Sequence, residues 1–224
     1  MIRAAAFDFD GTLVDSNPIK ARAYYEAAAG VDPDGKAVAA VLARRPAGDR
    51  HAILRRVAVE LSERGALPAG RSVDELAREL ADTYTRLCEQ AVSRCDEVPG
   101  ATRALRELAA RGVRLFVNTA TPRDAVLPIL RRRGLLALFA GVYGAETGKL
   151  ESLRRIAEAT GSRPGELLFV GDRDDDFEAA RALGCRFVGV VHAGTDGFRQ
   201  PPEHCISDLG ELPGLVDRFR AEPA

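Results

Sequence analysis

The chain has 224 residues, enough for one large core or for one core and a small accessory domain. Of these residues 46% are hydrophobic and 29% are charged, and the net charge of -1 offers no positive field for nucleic acid or an anionic membrane. No apolar stretch approaches the roughly 20 residues that a membrane helix needs. The chain runs directly into a predicted buried strand and carries Arg3 and Asp8 within its first ten residues, so we expect no secretion signal. The 4 cysteines form no Cys-x-x-Cys pair, which favours reduced thiols and a cytoplasmic protein.

The first element is a short apolar run, residues 4–7, followed directly by Asp8, Phe9, Asp10 and Gly11. An apolar run closed by glycine is typical of a strand buried on both faces of a sheet. The two acids therefore follow the carboxyl end of a strand, the edge at which open α/β sheets bind ligands. Buried carboxylates without partners are costly, so this pair calls for a cation or another compensating charge. Taken alone, the stretch also fits a turn that uses Asp and Gly for their backbone preferences.

Residues 17–95 show only helical periodicity. Helices are predicted over residues 19–29, from 32 toward 45, over 50–64, and from Ser72, which has capping-box spacing to Glu75, to about 95. The first strand has no candidate partner before residue 113, so this helical block is predicted to be an insertion into an α/β core. Because it begins directly beside the acidic pair, it could cover the acids and exclude water from them.

After residues 98–100, short apolar strands alternate with helices, which indicates right-handed βαβ units and a parallel sheet. The predicted strands are 113–118, 141–143, 167–170 and 186–191, and the predicted helices are 101–111, 122–133 with Thr121 as its N-cap, 149–160, 174–183 and 212–220. The expected fold is therefore α/β: a Rossmann-like core of residues 1–16 and 97–224, with an inserted helical cap domain of residues 17–96.

Residues suited to phosphate chemistry follow several of these strands. Thr119 comes after the second strand, Lys149 begins a helix, and Asp172 leads an acidic run after the fourth strand. Carboxylates from two strands suit a hard, oxygen-preferring cation, Mg²⁺ above others. An ammonium and a hydroxyl at the same edge suit a phosphoryl group, because they neutralise its charge and donate hydrogen bonds to it.

Four motifs carry a resemblance to a known family. DFDGTLVDS at 8–16 resembles DxDGTLxDS, VNTATP at 117–122 and VYGAETGK at 142–149 resemble the second and third motifs, and FVGDRDDDFEAARALG at 169–184 resembles the fourth. The VPG at 98–100 resembles the return from cap to core. The chain thus resembles phosphohydrolases of the haloacid dehalogenase superfamily with an α-helical cap, in the branch of phosphoglycolate phosphatase and β-phosphoglucomutase. The resemblance covers the whole predicted core.

The resemblance implies a mechanism for the two acids. Asp8 would attack phosphorus and form an aspartyl-phosphate. Asp10 would protonate the leaving oxygen and then serve as base toward the hydrolytic water. Mg²⁺ would be held by the carboxylates of Asp8 and Asp172 and by the backbone carbonyl of Asp10.

The resemblance also assigns the groups that hold the phosphoryl oxygens. Thr119, Ala120 and Lys149 would bind them, and Asp176 would orient Lys149 or a water molecule on the metal. Two neighbours remain as alternatives. Asn118 would replace Thr119 if the register differs by one residue, and Asp175 would replace Asp176, because three acids are adjacent.

In the predicted cap, Arg45, Arg50 and His51 could bind an anionic leaving group, or they could be a solvated helix start. The expected function is a Mg²⁺-dependent phosphatase, monomeric or homodimeric, that acts on a small soluble metabolite such as phosphoglycolate or a sugar phosphate, with no nucleic-acid or membrane partner. A phosphomutase, in which a hydroxyl returns in place of water, is the nearest alternative. A phospho-receiver signalling module also uses Asp, Thr, Lys and Mg²⁺ on a parallel sheet, but it lacks the Asp-x-Asp pair and the large insertion.

Overall fold

A computed structural model describes residues 1–44, 46, 48–192 and 198–221 of the chain, and within them six parallel strands form one sheet. Their order across the sheet is β3-β2-β1-β4-β5-β6. The strands are β1 (Ala4–Phe7), β2 (Arg114–Asn118), β3 (Phe139–Tyr143), β4 (Leu167–Gly171), β5 (Arg186–Val190) and β6 (Cys205–Ile206). This parallel sheet confirms the predicted α/β class.

The α-helices of the described ranges alternate with the strands only after residue 98. They are α1 (Asn17–Ala28), α2 (Lys36–Ala43), α3 (Arg50–Glu63), α4 (Val73–Val92), α5 (Ala101–Ala110), α6 (Arg123–Arg132), α7 (Lys149–Thr160), α8 (Asp174–Leu183) and α9 (Leu212–Ala221). Within the part of the chain that the structure covers, none of these helices is both long and apolar enough to cross a membrane.

Strand β1 lies at the centre of the sheet because its residues are small or apolar and tolerate burial on both faces. It pairs with β2 on one side and β4 on the other, so that Phe7 lies opposite Val117 and Val170. The strand order reverses direction around β1, which is the topological switch point where α/β sheets bind ligands.

One hydrophobic cluster joins the centre of the sheet to α7 and α8, which also pack against each other. Its buried residues come from six elements, β1, β2, β4, β5, α7 and α8; they are Ala4, Ala6, Phe116, Leu153, Ile156, Leu167, Phe169, Ala179, Ala180 and Phe187. This packing fixes the positions at which α7 and α8 begin, and both helices begin at charged residues.

The contacts within the chain divide it into two compact units, Met1–Asp15 with Asp96–Ala224, and Ser16–Cys95. The second unit contains α1–α4, in which α4 packs against both α1 and α3. Ser72 and Glu75 form the predicted capping box at the start of α4. The role of this unit as a cap remains a prediction.

Two local predictions were wrong, and one strand was missed. Helix α2 begins at Lys36 rather than at residue 32; Asp32 instead accepts the backbone N–H groups of Ala37 and Val38 from outside the helix. Strand β6 was missed, because two residues are too short for a periodic signal. Thr121 is not the N-cap of α6, since the N-cap is Pro122. The first N–H of α6, that of Arg123, is satisfied by the side chain of Glu146 from a distant loop.

Candidate active site

Asp8 and Asp172 extend β1 and β4 at their carboxyl ends. Because these strands are direct neighbours in register, the backbone N–H of Asp8 donates to the carbonyl of Val170 at 2.8 Å. Both acids are buried, with exposures of 3% for Asp8 and 7% for Asp172. Two carboxylates that are far apart in sequence therefore meet in a setting where their charges are poorly solvated.

Asp176 brings a third carboxylate to the same place from the first turn of α8. Its side chain is fully buried and accepts the backbone N–H of Arg173 at 3.2 Å, closing the N-terminal turn of the helix. Asp8, Asp172 and Asp176 each offer a carboxylate oxygen, and these oxygens lie within 4.8 Å of one another. Asp176 therefore has a structural task at the helix start and also contributes charge to the cluster.

Lys149 brings a positive charge to this cluster. It is the first residue of α7 and follows Gly148, whose φ of 75° suits glycine. Its ammonium lies 2.6 Å from Asp176 Oδ1, 2.9 Å from Asp175 Oδ2 and 3.8 Å from Asp8 Oδ1. The alternatives at 175 and 176 are thus both in contact with Lys149, but Asp176 is buried whereas the side chain of Asp175 is 55% exposed.

The burial of these groups changes their proton affinities. Desolvation raises the pKa of Asp8 to about 7, the Lys149 ammonium acts against this rise, and the charges of Asp172 and Asp10 add to it. Desolvation likewise raises the pKa of Asp176. Desolvation alone would lower the pKa of Lys149, but the carboxylates of Asp176 and Asp8 outweigh it and raise that pKa. Burial acts to lower the pKa of the Arg173 guanidinium, but the carboxylates of Asp175 and Asp172 outweigh it and raise that pKa, so Arg173 adds a second positive charge beside the acids.

Asn118 and Thr119 end β2 beside β1, and the structure gives them different partners. The side-chain amide of Asn118 donates to the backbone carbonyl of Lys149 at 3.0 Å. Thr119 is buried, and its hydroxyl oxygen accepts the backbone N–H of Thr121 at 3.2 Å. That hydroxyl keeps its own proton to donate to a ligand. Ala120, the next residue, is exposed.

Asp10 lies in the loop after β1, next to Gly11, whose φ is 77°. Its carboxylate receives a hydrogen bond from the hydroxyl of Thr121. The three-carboxylate group does not include the Asp10 side chain, and the predicted metal set uses only its backbone carbonyl. Thr121 was missed as a site residue, because its place before Pro122 suggested a helix cap.

The residues predicted to select substrate belong to the second unit. Asp49 caps α3 by accepting the N–H of Ala52, so Arg50 and His51 occupy its first turn. Arg50 is half-buried, and its Nε has no hydrogen-bond partner among the described residues, whereas His51 is exposed. Arg45 lies outside the described residues. Substrate binding by this group stays a prediction.

The cluster fits a divalent cation on chemical grounds. Its donors are oxygens only, and they converge from β1, β4 and α8. Burial raises the pKa of Asp8, and the charges of Asp172 and Asp10 add to that rise, so a nearby cation would stabilise the ionised carboxylate. Oxygen donors of this kind favour Mg²⁺ over metals that prefer nitrogen or sulfur.

Residues 2–184 match the model of the haloacid dehalogenase-like hydrolase family. The chain belongs to this family. Among its relatives, the phosphoglycolate phosphatase of Shigella boydii is 32% identical over 209 residues, covering 85% of this chain and 82% of that protein. The phosphoglycolate phosphatase of Pseudomonas putida is 30% identical over 231 residues, covering 96% and 80%.

The fold of this haloacid dehalogenase-like hydrolase is shared by solved structures. A structure described as a predicted phosphoglycolate phosphatase from Haemophilus somnus superposes with a TM-score of 0.72 at 20% identity, covering 96% of this chain and 98% of that one. The comparisons confirm the predicted family, its phosphoglycolate-phosphatase-like branch and the prediction of an enzyme of the phosphatase class. They argue against the signalling-module alternative.

Proposed function

We propose that this hydrolase is a Mg²⁺-dependent phosphomonoesterase that works through an aspartyl-phosphate on a small phosphorylated metabolite. The observation that carries the proposal is the buried group of Asp8, Lys149, Asp172 and Asp176 at the carboxyl ends of β1 and β4. A buried group with excess negative charge and one ammonium is suited to bind a cation and a phosphoryl group together.

Asp8 is the proposed nucleophile. Its carboxylate oxygen attacks phosphorus while the bond from phosphorus to the leaving oxygen breaks, and the phosphoryl group is transferred to the enzyme. Its neighbour Lys149 favours the ionised, reactive form of Asp8, because the ammonium opposes the rise in pKa caused by burial. Water then attacks the aspartyl-phosphate, which releases phosphate and restores Asp8.

Asp10 is the proposed acid and base. It gives a proton to the leaving oxygen in the first step and takes a proton from the attacking water in the second. The hydroxyl of Thr119 and the ammonium of Lys149 bind the transferring oxygens, with the backbone of Ala120 beside them. Asp176 holds Lys149 in place through its 2.6 Å contact.

The carboxylates of Asp8 and Asp172 and the backbone carbonyl of Asp10 would hold the magnesium ion. When bound, the ion offsets the repulsion between the carboxylate of Asp8 and the negative phosphoryl group. Asp176 lies within reach of the same position and would support it, although its contact with Lys149 is its closer interaction.

The second unit is proposed to be a cap that selects the substrate, with Arg50 and His51 as candidates for binding its anionic part. The proposed substrate class is phosphoglycolate or a sugar phosphate, as suggested by the names of the relatives. The cysteines are present as thiols, which supports a reducing, cytoplasmic location.

The test measures release of phosphate from p-nitrophenyl phosphate, phosphoglycolate and a set of sugar phosphates in the presence of Mg²⁺. We expect Asp8→Asn to lower the rate on the order of 10³-fold or more, and EDTA to abolish activity until Mg²⁺ is restored. The matched control is Asp124→Asn, at an exposed aspartate in the first turn of α6, which should leave the rate unchanged.

Activity that survives Asp8→Asn, or that is indifferent to EDTA, would contradict the proposal. A phosphomutase would instead require a bisphosphate activator and would convert one sugar phosphate to another without net release of phosphate. Trapping of a covalent phospho-enzyme in the wild type, but not in Asp8→Asn, would identify the intermediate.

A further inference from the structure

Thr121 forms hydrogen bonds with two residues of the proposed active site, Asp10 and Thr119. Its hydroxyl oxygen is 2.5 Å from Asp10 Oδ2, and its backbone N–H donates to the hydroxyl of Thr119. Thr121 therefore contacts both the proposed acid and a proposed phosphoryl ligand. Other groups occupy the N-cap position of α6 and satisfy its first N–H, and the Thr121 hydroxyl contacts Asp10 instead.

Both backbone polar groups of Thr121, its N–H and its carbonyl, form hydrogen bonds. Its N–H is bonded to Thr119, and its carbonyl accepts the backbone N–H of Ala145 at 3.2 Å. Thr119 is in turn anchored by its own N–H, which donates to the carbonyl of Tyr143 on the neighbouring strand at 3.0 Å. These bonds fix the residue from which the Thr121 hydroxyl projects, so the hydroxyl provides a rigid reference for the Asp10 carboxylate.

The direction of this hydrogen bond has a chemical consequence. An ionised carboxylate only accepts hydrogen bonds, so the hydroxyl of Thr121 donates to Oδ2 of Asp10. The bond distinguishes the two carboxylate oxygens of Asp10, because Oδ2 already shares a proton with Thr121. The same contact also limits rotation of the carboxyl group.

We propose that Thr121 is a positioning residue, which holds Oδ2 of Asp10 and so fixes the orientation in which Oδ1 meets the leaving oxygen. In this step the bond from phosphorus to the leaving oxygen breaks, its electron pair goes to that oxygen, and the proton from Asp10 neutralises it while Asp8 bonds to phosphorus. The inference rests on the proposed function of Asp8 and Asp10 and adds a residue that acts through Asp10.

The experiment compares substrates whose leaving groups need an acid to different degrees. Alkyl phosphates leave as strongly basic alkoxides and depend on the proton from Asp10, whereas 2,4-dinitrophenyl phosphate leaves as a stabilised anion. The ratio kcat/KM is measured, because it reports the steps up to formation of the phospho-enzyme. We expect Thr121→Val to lower kcat/KM for alkyl phosphates by about 10- to 100-fold, and by less than about 3-fold for the dinitrophenyl ester.

Three further variants separate positioning from a structural role. Thr121→Ser keeps the hydroxyl and should restore the alkyl phosphate rate, whereas Thr121→Ala, a second variant without it, should repeat the selective loss. In an Asp10→Asn background, Thr121→Val should cause no further selective loss, because the group that it positions is gone. The matched control is Thr102→Val, which removes another threonine-to-carboxylate hydrogen bond, to Glu97, and should leave both substrates unaffected.

An equal loss on both classes of substrate, or no loss, would overturn the proposal, as would a Thr121→Ser variant that behaves like Thr121→Val. A wild-type enzyme that releases phosphate from none of the esters would overturn the proposed function itself. The two failures are therefore distinct, because the first requires an active wild type.

Discussion

Replacing Gly171 with alanine tests whether the close approach of β4 to α8 sets the geometry of the site. A Cβ atom at residue 171 would lie 2.4 Å from Cγ, 2.5 Å from Cβ and 2.6 Å from Oδ2 of Asp176. Carbon atoms in contact are normally about 3.5–4.0 Å apart, so the Asp176 side chain would have to move by about 1 Å. Overpacking of this kind costs about 1–3 kcal/mol of folding stability.

The displaced side chain is the one that contacts the ammonium of Lys149. Asp176 is fully buried, and its Oδ1 lies 2.6 Å from Lys149 Nζ, so a shift of about 1 Å would move or release the lysine. A misplacement of that size in an active site can cost on the order of 100-fold in rate. At about 2–4 °C per kcal/mol for a chain of this length, the melting temperature should fall by about 2–12 °C.

The assays are thermal unfolding by circular dichroism and phosphate release under saturating Mg²⁺. The matched control is Gly165→Ala, just before β4, where an added Cβ meets nothing within 4 Å and the residue is exposed. We expect the control to match the wild type in both measurements. If Gly171→Ala also matched the wild type in melting temperature and rate, the argument from the Asp176 contact would be wrong.

Three further predictions address the metal, the thiols and the second unit. Mg²⁺ at about 100 times its dissociation constant should stabilise the wild type against thermal unfolding by about 2.7 kcal/mol. The Asp172→Asn variant should lose this stabilisation, and an equal stabilisation of the variant would contradict the assignment of Asp172 as a metal ligand. Burial raises the pKa of the Cys185 thiol to about 12, whereas Cys205 is exposed. At pH 8 a thiol reagent such as 5,5′-dithiobis(2-nitrobenzoate) should therefore modify Cys205 before Cys185, and peptide mapping that found Cys185 modified first would refute this order. Arg50→Gln should raise KM for phosphoglycolate by about 10-fold with little change in kcat if the arginine binds substrate, whereas an unchanged KM would favour a solvated helix start.

The order and type of the elements were predictable from the sequence because both are encoded in neighbouring residues. The apolar run before Asp8 and the alternation after residue 98 predicted the strands, and the helix over 174–183 has the predicted bounds. The motif around Asp8 was equally local. Strand β6 was missed because its two residues, Cys205–Ile206, are too few to show a periodic pattern.

The partners of the site residues were decided only by the tertiary structure. The motif favoured Asp176 and left Asp175 as an alternative, because both fit the same helix start, and only burial against β4 distinguishes them. Thr121 has the sequence position of a helix cap, but Glu146, from another loop, accepts the first backbone N–H of α6.

Sequence patterns thus determined which residues form strands and helices, since periodicity and capping act within a few residues along the chain. The tertiary structure decided which carboxylate faces the lysine and which hydroxyl faces Asp10. Those contacts join residues 27 and 111 positions apart, and their distances depend on how β1, β2 and β4 align in one sheet.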